Sequence, residues 1–445
     1  MAVAASESIE DAKLGDILKN IEIPQGFKDY DELSEPETVV RLEEWRRRTF
    51  AVLEGLKAGL RDRESYKLAQ QGDIVGAIAP LVEERPWTTE HTRVAAKEIL
   101  SSYDTPNLPL LEHCLTHKIK PLFQRNPHPD LNPSTGRKMP RPAGGTAGFQ
   151  DHLEGQFWKS NLGVADLLLW CVRHTEGPMY ERLWHLVIPP VMTLLDDFEV
   201  GYKLRGTQIV AVMLENVPAQ ILRRTGVDGL LFANLNKCLS FLDRPDSAAL
   251  LRAVVPTAVK LVEHTTPPGS SQRYDQLCVV LGDGIIGGVW LHGMRQESVM
   301  QASIDVLPPL IQPLGIGSAR YLKALIPQLV HPLVTDGSAG TRSMQTSSAR
   351  ALAVVIAACA VRAHVWKGTI LAGVCRCWTD LDASGSRSDG APELRRALQD
   401  ACASLVQACP SVLEEEIPRL LELDTTIFKP LLMAVVQAET RSGTG

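Results

Sequence analysis

Residues 186–217 constrain this chain more than any other stretch. Val187, Val191, Leu194, Leu195 and Phe198 recur at i, i+4, i+7, i+8 and i+11, which places an apolar stripe along one face of a helix. Asp196 and Asp197 interrupt that stripe. Tyr202, Gly206, Ile209, Val210, Met213 and Val217 then form a second stripe. Two amphipathic helices joined by an acidic turn leave apolar surface that only further helices, stacked on either side, can cover.

The spacing within this pair matches a HEAT repeat. Pro189 stands eight residues before Asp197, Tyr202 five after it, Lys203 six after and Gly206 nine after. Each type has a physical role there. A proline bends the first helix around its core. An acid bonds amides at the start of the second helix or pairs with a base. A small residue lets two helix backbones approach. Looser versions occur at 77–82, 254–256, 325–329 and 417–421. Aromatic residues make up only 5% of the chain, while Ala, Leu and Val abound. No Val/Ile-rich run alternates with helices as in a βαβ unit. The expected fold is therefore all-α, a HEAT/armadillo-like helical-repeat α-solenoid. Asp196, Asp197, Tyr202, Lys203, Arg205 and Gly206 are the candidate functional residues, either as a partner interface or as an internal ladder between repeats.

Along the chain, residues 1–36 read as an acidic flexible leader with a short helix at 9–18, and residues 1–40 hold 10 acids against 3 bases. Helical repeats are expected at 37–123, with Thr38 capping the first helix. A Pro/Gly-rich disordered loop is expected at 124–150, where Pro127, Pro129, Pro133, Pro140, Pro142 and Gly144-Gly145 break any periodicity. Central HEAT-like repeats follow at 151–383, interrupted at 264–273, then a loop at 384–391 and C-terminal helical pairs at 392–440. The formal net charge of -6 offers no reason to expect nucleic-acid binding. Nine cysteines, irregularly spaced inside apolar stretches, suit a reducing compartment rather than a disulfide framework. The N-terminus shows no basic region followed by an apolar run, so no secretory signal is expected. The longest apolar run, 351–361, is far shorter than the roughly 20 residues of a membrane span. A soluble intracellular protein is expected.

Other motifs have structural explanations beside their chemical ones. Gly282-Asp283-Gly284-Ile285-Ile286-Gly287 spells the dinucleotide fingerprint, with Asp305 near the place of a ribose-binding acid. Without a preceding strand, small residues that ease helix packing explain it better. His113 and His117 have the spacing of a metal pair but lack a third ligand. Cys375-Arg376-Cys377 lies in a helical run and reads as one core and one surface position. Four bases in the Pro/Gly loop, Arg125, Arg137, Lys138 and Arg141, have no interleaved aromatics and read as solvated. Asp196 and Asp197 are adjacent at a turn rather than opposed across a cleft, which favours capping or pairing over acid/base catalysis. No catalytic, cofactor or metal site is expected.

The run Pro189-Pro190-Val191-Met192-Thr193-Leu194-Leu195-Asp196-Asp197-Phe198, followed by Tyr202-Lys203-Leu204-Arg205-Gly206, resembles the signature of the Tel-two-interacting protein two family, the third subunit of the triple-T co-chaperone complex. Similar pieces follow in the family's order at 225–242, 274–288 and 321–332, so the resemblance runs from about residue 155 to 375. It implies an α-solenoid bound to two larger solenoid proteins, Tel-two and Tti-one. It further implies support for maturation of phosphatidylinositol-3-kinase-related kinases with the ninety-kilodalton heat-shock chaperone, in cytoplasm and nucleus. Roles in DNA-damage signalling and telomere maintenance would follow. The residues themselves indicate a repeat scaffold without a catalyst. A generic HEAT-repeat adaptor, karyopherin-like or a phosphatase scaffold, is the alternative.

Overall fold

The computed structural model describes residues 14–27, 35–59, 66–144, 152, 154–293, 295–335, 339–383 and 390–432. They are α-helical almost throughout. Among them the only bridge between extended residues is an isolated one, Leu131 to Lys138. The chain divides into two units, Met1–Leu231 and Phe232–Gly445.

In the first unit, α1 (Pro36–Gly59) packs on α3 (Glu90–Ser101), and α2 (Leu68–Ile78) on α4 (Leu108–His113). A π-helical stretch, Cys114–Ile119, continues α4. α5 (Val164–Arg173) and α6 (Tyr180–Asp196) both pack on α7 (Val200–Asn216), with α8 (Ala219–Thr225) following, and the division at Leu231 falls within α9 (Val227–Cys238). α1 starts at Pro36 rather than after Thr38. Proline suits the first helical position, because the amide it lacks would have had no partner there. α8 ends at Gly226, whose φ of 70° is the left-handed conformation that closes a helix with least strain in glycine.

In the second unit, α10 (Ser247–Thr265) packs on α12 (Glu297–Asp305), with α11 (Ser271–Cys278) between them in sequence. α13 (Leu307–Leu314) leads through a 3-10 segment, Gly315–Tyr321, to α14 (Leu322–Val334). α14 packs on α15 (Ala339–Ala358) and on α17 (Lys367–Ala383), with the short α16 (Ala360–Ala363) between the last two in sequence. α18 (Ala391–Ala408) covers α15 and α17, and α19 (Ser411–Leu423) packs on α18. The recurring arrangement is a helix against its sequence neighbour and against the next helix but one. Such stacking gives each apolar stripe a partner on both sides. Pro189, Pro256, Pro327 and Pro418 lie inside their helices, whereas Pro80 falls in a 3-10 turn, Ala79–Leu81, that ends α2.

Two segments expected to lack fixed structure are held in part. Within the acidic leader, residues 14–19 are helical and Leu18, Ile21 and Phe27 are buried. The Phe27 ring meets Trp45 of α1 edge-on at 5.7 Å, and Trp45 Nε1 donates to the Glu22 carbonyl at 3.1 Å. The acids dominate the composition, but the few apolar residues between them suffice to anchor this part. Fully burying one such side chain stabilises by about 1.5–3 kcal/mol. The expected helix at 9–18 otherwise lies outside the described residues, as do 28–34. In the Pro/Gly-rich stretch, residues 124–144 form turns, yet His128 and Leu131 are buried. The Gly136 carbonyl accepts from Trp184 Nε1 at 3.0 Å, and Lys138 N donates to Thr225 O at 2.9 Å. Proline and glycine exclude a helix here without excluding tertiary hydrogen bonds. Residues 145–151, and 384–389 of the expected later loop, lie outside the described residues.

Candidate functional site

The turn between α6 and α7 collects the residues singled out by spacing. α6 buries Leu183, Trp184, Val187, Ile188, Val191, Leu194 and Leu195, and Thr193 Oγ1 donates to the Pro189 carbonyl at 3.0 Å. The helix stops at Asp196, and Asp197 is extended. Phe198, expected to continue the apolar stripe, therefore projects from the turn and is 58% exposed. The stripe's period no longer applies once the backbone leaves the helix.

Asp197 is fully buried. Its Oδ1 accepts from the Glu199 amide at 2.8 Å, just ahead of α7, and from Lys159 Nζ at 3.0 Å. The same ammonium lies 2.8 Å from Glu199 Oε1. It also sits 4.2 Å from the ring centre of Phe198 and 5.0 Å from that of Tyr202. Cation–π attraction of this kind adds to the ion pairs. Burial pushes the Asp197 carboxyl up from the usual carboxylate range, against the opposing pull of Lys159 and the Glu199 amide. Desolvation outweighs the ion pair, so this pairing does more to specify geometry than to add stability.

The other candidates are also turned inward. Asp196 Oδ2 lies 3.4 Å from His128 Nε2, and both residues are buried. His128 Nδ1 accepts from the Asp130 amide at 3.2 Å, which leaves the proton of the neutral ring on Nε2, facing Asp196. His152 stands edge-on to His128 with ring centres 5.2 Å apart, and burial, then the neighbouring His128, lowers its pKa. Lys203 Nζ donates to the Leu195 carbonyl at 3.1 Å, capping the end of α6. Arg205 ion-pairs with Asp166 of α5, and its NH1 donates to Gln208 Oε1 at 3.1 Å. Arg85 NH2 reaches the same Asp166 oxygen at 2.8 Å. Burial lowers the Arg205 pKa, and Asp166 works against that shift. Tyr202 meets Trp158 edge-on at 4.6 Å, and Trp158 stacks on Phe123 at 5.4 Å. Gly206 faces backbone: a β-carbon there would lie 2.7 Å from Leu195 N and 3.0 Å from the Leu194 carbonyl carbon.

The spacing thus located a cluster but missed four of the residues that complete it. Lys159, Asp166 and Arg85 complete the ion pairs and His128 faces Asp196, all from 30 to 111 residues away from Asp196. Only Asp166 left a trace in the sequence, as a lone acid within the apolar run 164–172.

The competing motifs resolve differently. The glycine run falls in a π-helical stretch, Val279–Val289, that continues α11 rather than a strand. A β-carbon at Gly282 would lie 2.7 Å from the Tyr321 hydroxyl, and one at Gly284 2.5 Å from Leu239 Cδ1, so the glycines make room for neighbours. The His113 and His117 rings lie 4.6 Å apart, tilted by 43°. Cys375 and Cys377 are both buried, not one in and one out. Positions two apart point to opposite sides of a helix, but α17 has α14 on one side and α18 on another. Burial pushes the two thiols up to about 11 and about 12.

A model of the Tti2 family matches residues 74–339, more than half of the chain and all of the hairpin. The TELO2-interacting protein 2 of Rattus norvegicus is 23% identical over 179 residues, which cover 40% of this chain and 34% of that protein. The Mus musculus protein of the same name is 21% identical over 179 residues, with the same shares covered. The match spans about a third of the length of these curated relatives. A crystal structure of an engineered protein from the Northeast Structural Genomics Consortium aligns with a TM-score of 0.43 and 13% identity, over 95% of this chain and 93% of that one.

Proposed function

Because this chain belongs to the Tti2 family, we infer that it is a non-catalytic scaffold subunit of the triple-T complex, holding Tel-two and Tti-one and supporting maturation of phosphatidylinositol-3-kinase-related kinases with the ninety-kilodalton heat-shock chaperone. The observation that carries the reading is the family match over 74–339, which includes the Asp196–Asp197 turn and the Tyr202-to-Gly206 run. Its relatives' name, TELO2-interacting protein 2, supplies the first partner. The burial of Asp196, Asp197, Lys203 and Arg205 supports a ladder role for them. They set how helices stack, and exposed surface elsewhere does the binding. Work in cytoplasm and nucleus accords with a chain in which no described helix is long and apolar enough to cross a membrane.

Co-expression of the tagged chain with Tel-two and Tti-one tests this. Stoichiometric co-purification of both is the expected result. Recovery of neither, from a folded chain, overturns the reading, and recovery of nuclear-import cargo or a phosphatase subunit instead would make it a generic adaptor.

A further inference from the structure

Between Asp305 and Asp380 the sequence holds a single acid, Asp336, against seven lysines and arginines. That surplus of six positive charges sits inside a chain whose formal net charge is -6. The structure sets part of it beside exposed aliphatic side chains. The 3-10 segment Gly315–Tyr321 meets the residues after α15 where Ser318 Oγ and Cys359 Sγ lie 3.1 Å apart. Ile316, 57% exposed, precedes that contact by two residues, and Val361, 76% exposed, follows it by two. Val365, four residues further on, is 61% exposed. Arg320 and Arg362 are exposed in the same two segments, and Lys323 is exposed at the start of α14. None of the three has an acid within ion-pairing distance among the described residues. Arg320 lies over the Tyr321 ring, 5.2 Å from its centre, and bonds Tyr274, contacts that leave its charge unneutralised, whereas two other bases of the stretch are paired with acids: Arg350 with Glu393 of α18, and Lys367 with Glu415 and Glu416 of α19.

We propose that this face docks an acidic, aliphatic segment of another protein, with carboxylates opposite Arg320, Lys323 and Arg362 and aliphatic side chains against Ile316, Val361 and Val365. The charge surplus sets the sign of the partner. The aliphatic groups set its class, since non-specific binding of single-stranded nucleic acid relies on exposed aromatic rings for stacking. Arginine, present here twice, is also enriched at protein interfaces and among their hot spots. The inference rests on the scaffold reading and says where on the scaffold a partner attaches.

The test uses the full chain and a fluorescein-labelled amphipathic Glu/Leu peptide as probe, followed by anisotropy. The wild type is expected to bind it with an affinity that falls as salt rises. Arg320→Glu/Arg362→Glu and Val361→Ser/Val365→Ser should each weaken binding roughly tenfold with unchanged thermal melting, the first through lost charge pairing, the second through lost apolar contact. Arg41→Glu/Arg47→Glu on α1, and a Lys/Leu probe, serve as controls for non-specific charge effects. Equal binding by the wild type and the charge-reversed chain overturns the proposal. So does a single-stranded oligonucleotide that binds more tightly than the peptide and is lost on charge reversal. A peptide of residues 1–40 that outcompetes the probe would overturn it too, by giving the face to this chain's own acidic leader. Partner co-purification separates the two levels. If both variants recover Tel-two and Tti-one as the wild type does, this face is wrong and the scaffold stands. If the wild type recovers neither, the scaffold reading itself fails.

Discussion

Within residues 1–231 the described interior holds Asp166, Asp196, Asp197, Lys203 and Arg205, together with His128 and His152. Within residues 232–445 the buried polar side chains are Asn234, Gln345 and a set of serines and threonines, with no charged side chain among the described residues, and seven of the nine cysteines lie there. The two halves use the same helix-on-helix packing and join it differently. In the first, ion pairs tie α5, α6, α7 and the segment around Lys159, so a slipped register would strand a buried charge. In the second, the buried polar contacts are neutral ones: Ser303 Oγ accepts from Trp290 Nε1 at 2.8 Å, and Gln345 Nε2 donates to Pro332 O at 3.2 Å. Apolar shape sets the register there. Buried charge costs desolvation and returns specificity, whereas neutral packing costs less and discriminates less.

The sharpest way to break this contrast is to remove one ion. Lys159→Met should cost about 3–5 kcal/mol in urea unfolding, because Asp197 is left buried without its cation. Adding Asp197→Asn should recover most of that loss. A neutral counterpart, Gln345→Met, should cost about 1 kcal/mol, the worth of an ordinary hydrogen bond. Equal losses for Lys159→Met and Gln345→Met would erase the distinction.

Helix approach comes next. Gly206→Ala should cost about 2–3 kcal/mol, since the new methyl meets the backbone of Leu194 and Leu195, which cannot rotate away. Gly373→Ala in α17 meets a side chain instead, that of Val330, whose Cγ1 would lie 2.7 Å away. A valine in a helix is stiff at χ1, but α14 can shift by a few tenths of an ångström more easily than a backbone-to-backbone contact can open, so the loss should be about 1–2 kcal/mol. The midpoint of chemical denaturation reads both.

A pH series sharpens the electrostatic half. The folded pKa of Asp197 is raised above its ordinary value of 3.8. Its contribution to stability is therefore fully present below the unfolded value and is lost as pH rises through the folded one. Asp197→Asn should gain on the wild type over that rise, whereas Gln345→Met should keep a constant difference. A stability gap between Asp197→Asn and wild type that does not change with pH would contradict the assigned shift.

At the surface the halves should behave alike. The ion pairs Arg224–Glu181 and Arg252–Asp305 are partly exposed. Arg224→Ala and Arg252→Ala should each change stability by no more than about 0.5 kcal/mol. A large loss at either would mean that the pair is less solvated than its exposure suggests.

The hairpin was legible because its information is local. A 3.6-residue period, an acidic break, a proline before it and a glycine after it all lie within residues 186–217, and α6, α7 and the close approach at Gly206 follow from them. Phe198 and one of the pair Cys375 and Cys377 were misplaced for related reasons. Periodicity says which face a residue shares, but not where the helix stops or how many neighbours cover it. The anchored parts of the acidic leader and of the Pro/Gly stretch were hidden because composition averages over the few residues, such as Phe27 and His128, that make the contacts.

Periodic apolar stripes with too few aromatics and no strand rhythm were enough to determine an all-α chain of paired helices, since burying those stripes admits few other solutions. The spacing around Asp197 was also enough to point to the family. What tertiary structure alone decided is what each charged side chain faces: Asp197 the Lys159 ammonium, Arg205 the Asp166 carboxylate with Arg85 at its side, Asp196 the Nε2 of His128. Those pairings join residues far apart in the chain, and an ion's preference for an opposite charge carries no record of which one the fold will bring near.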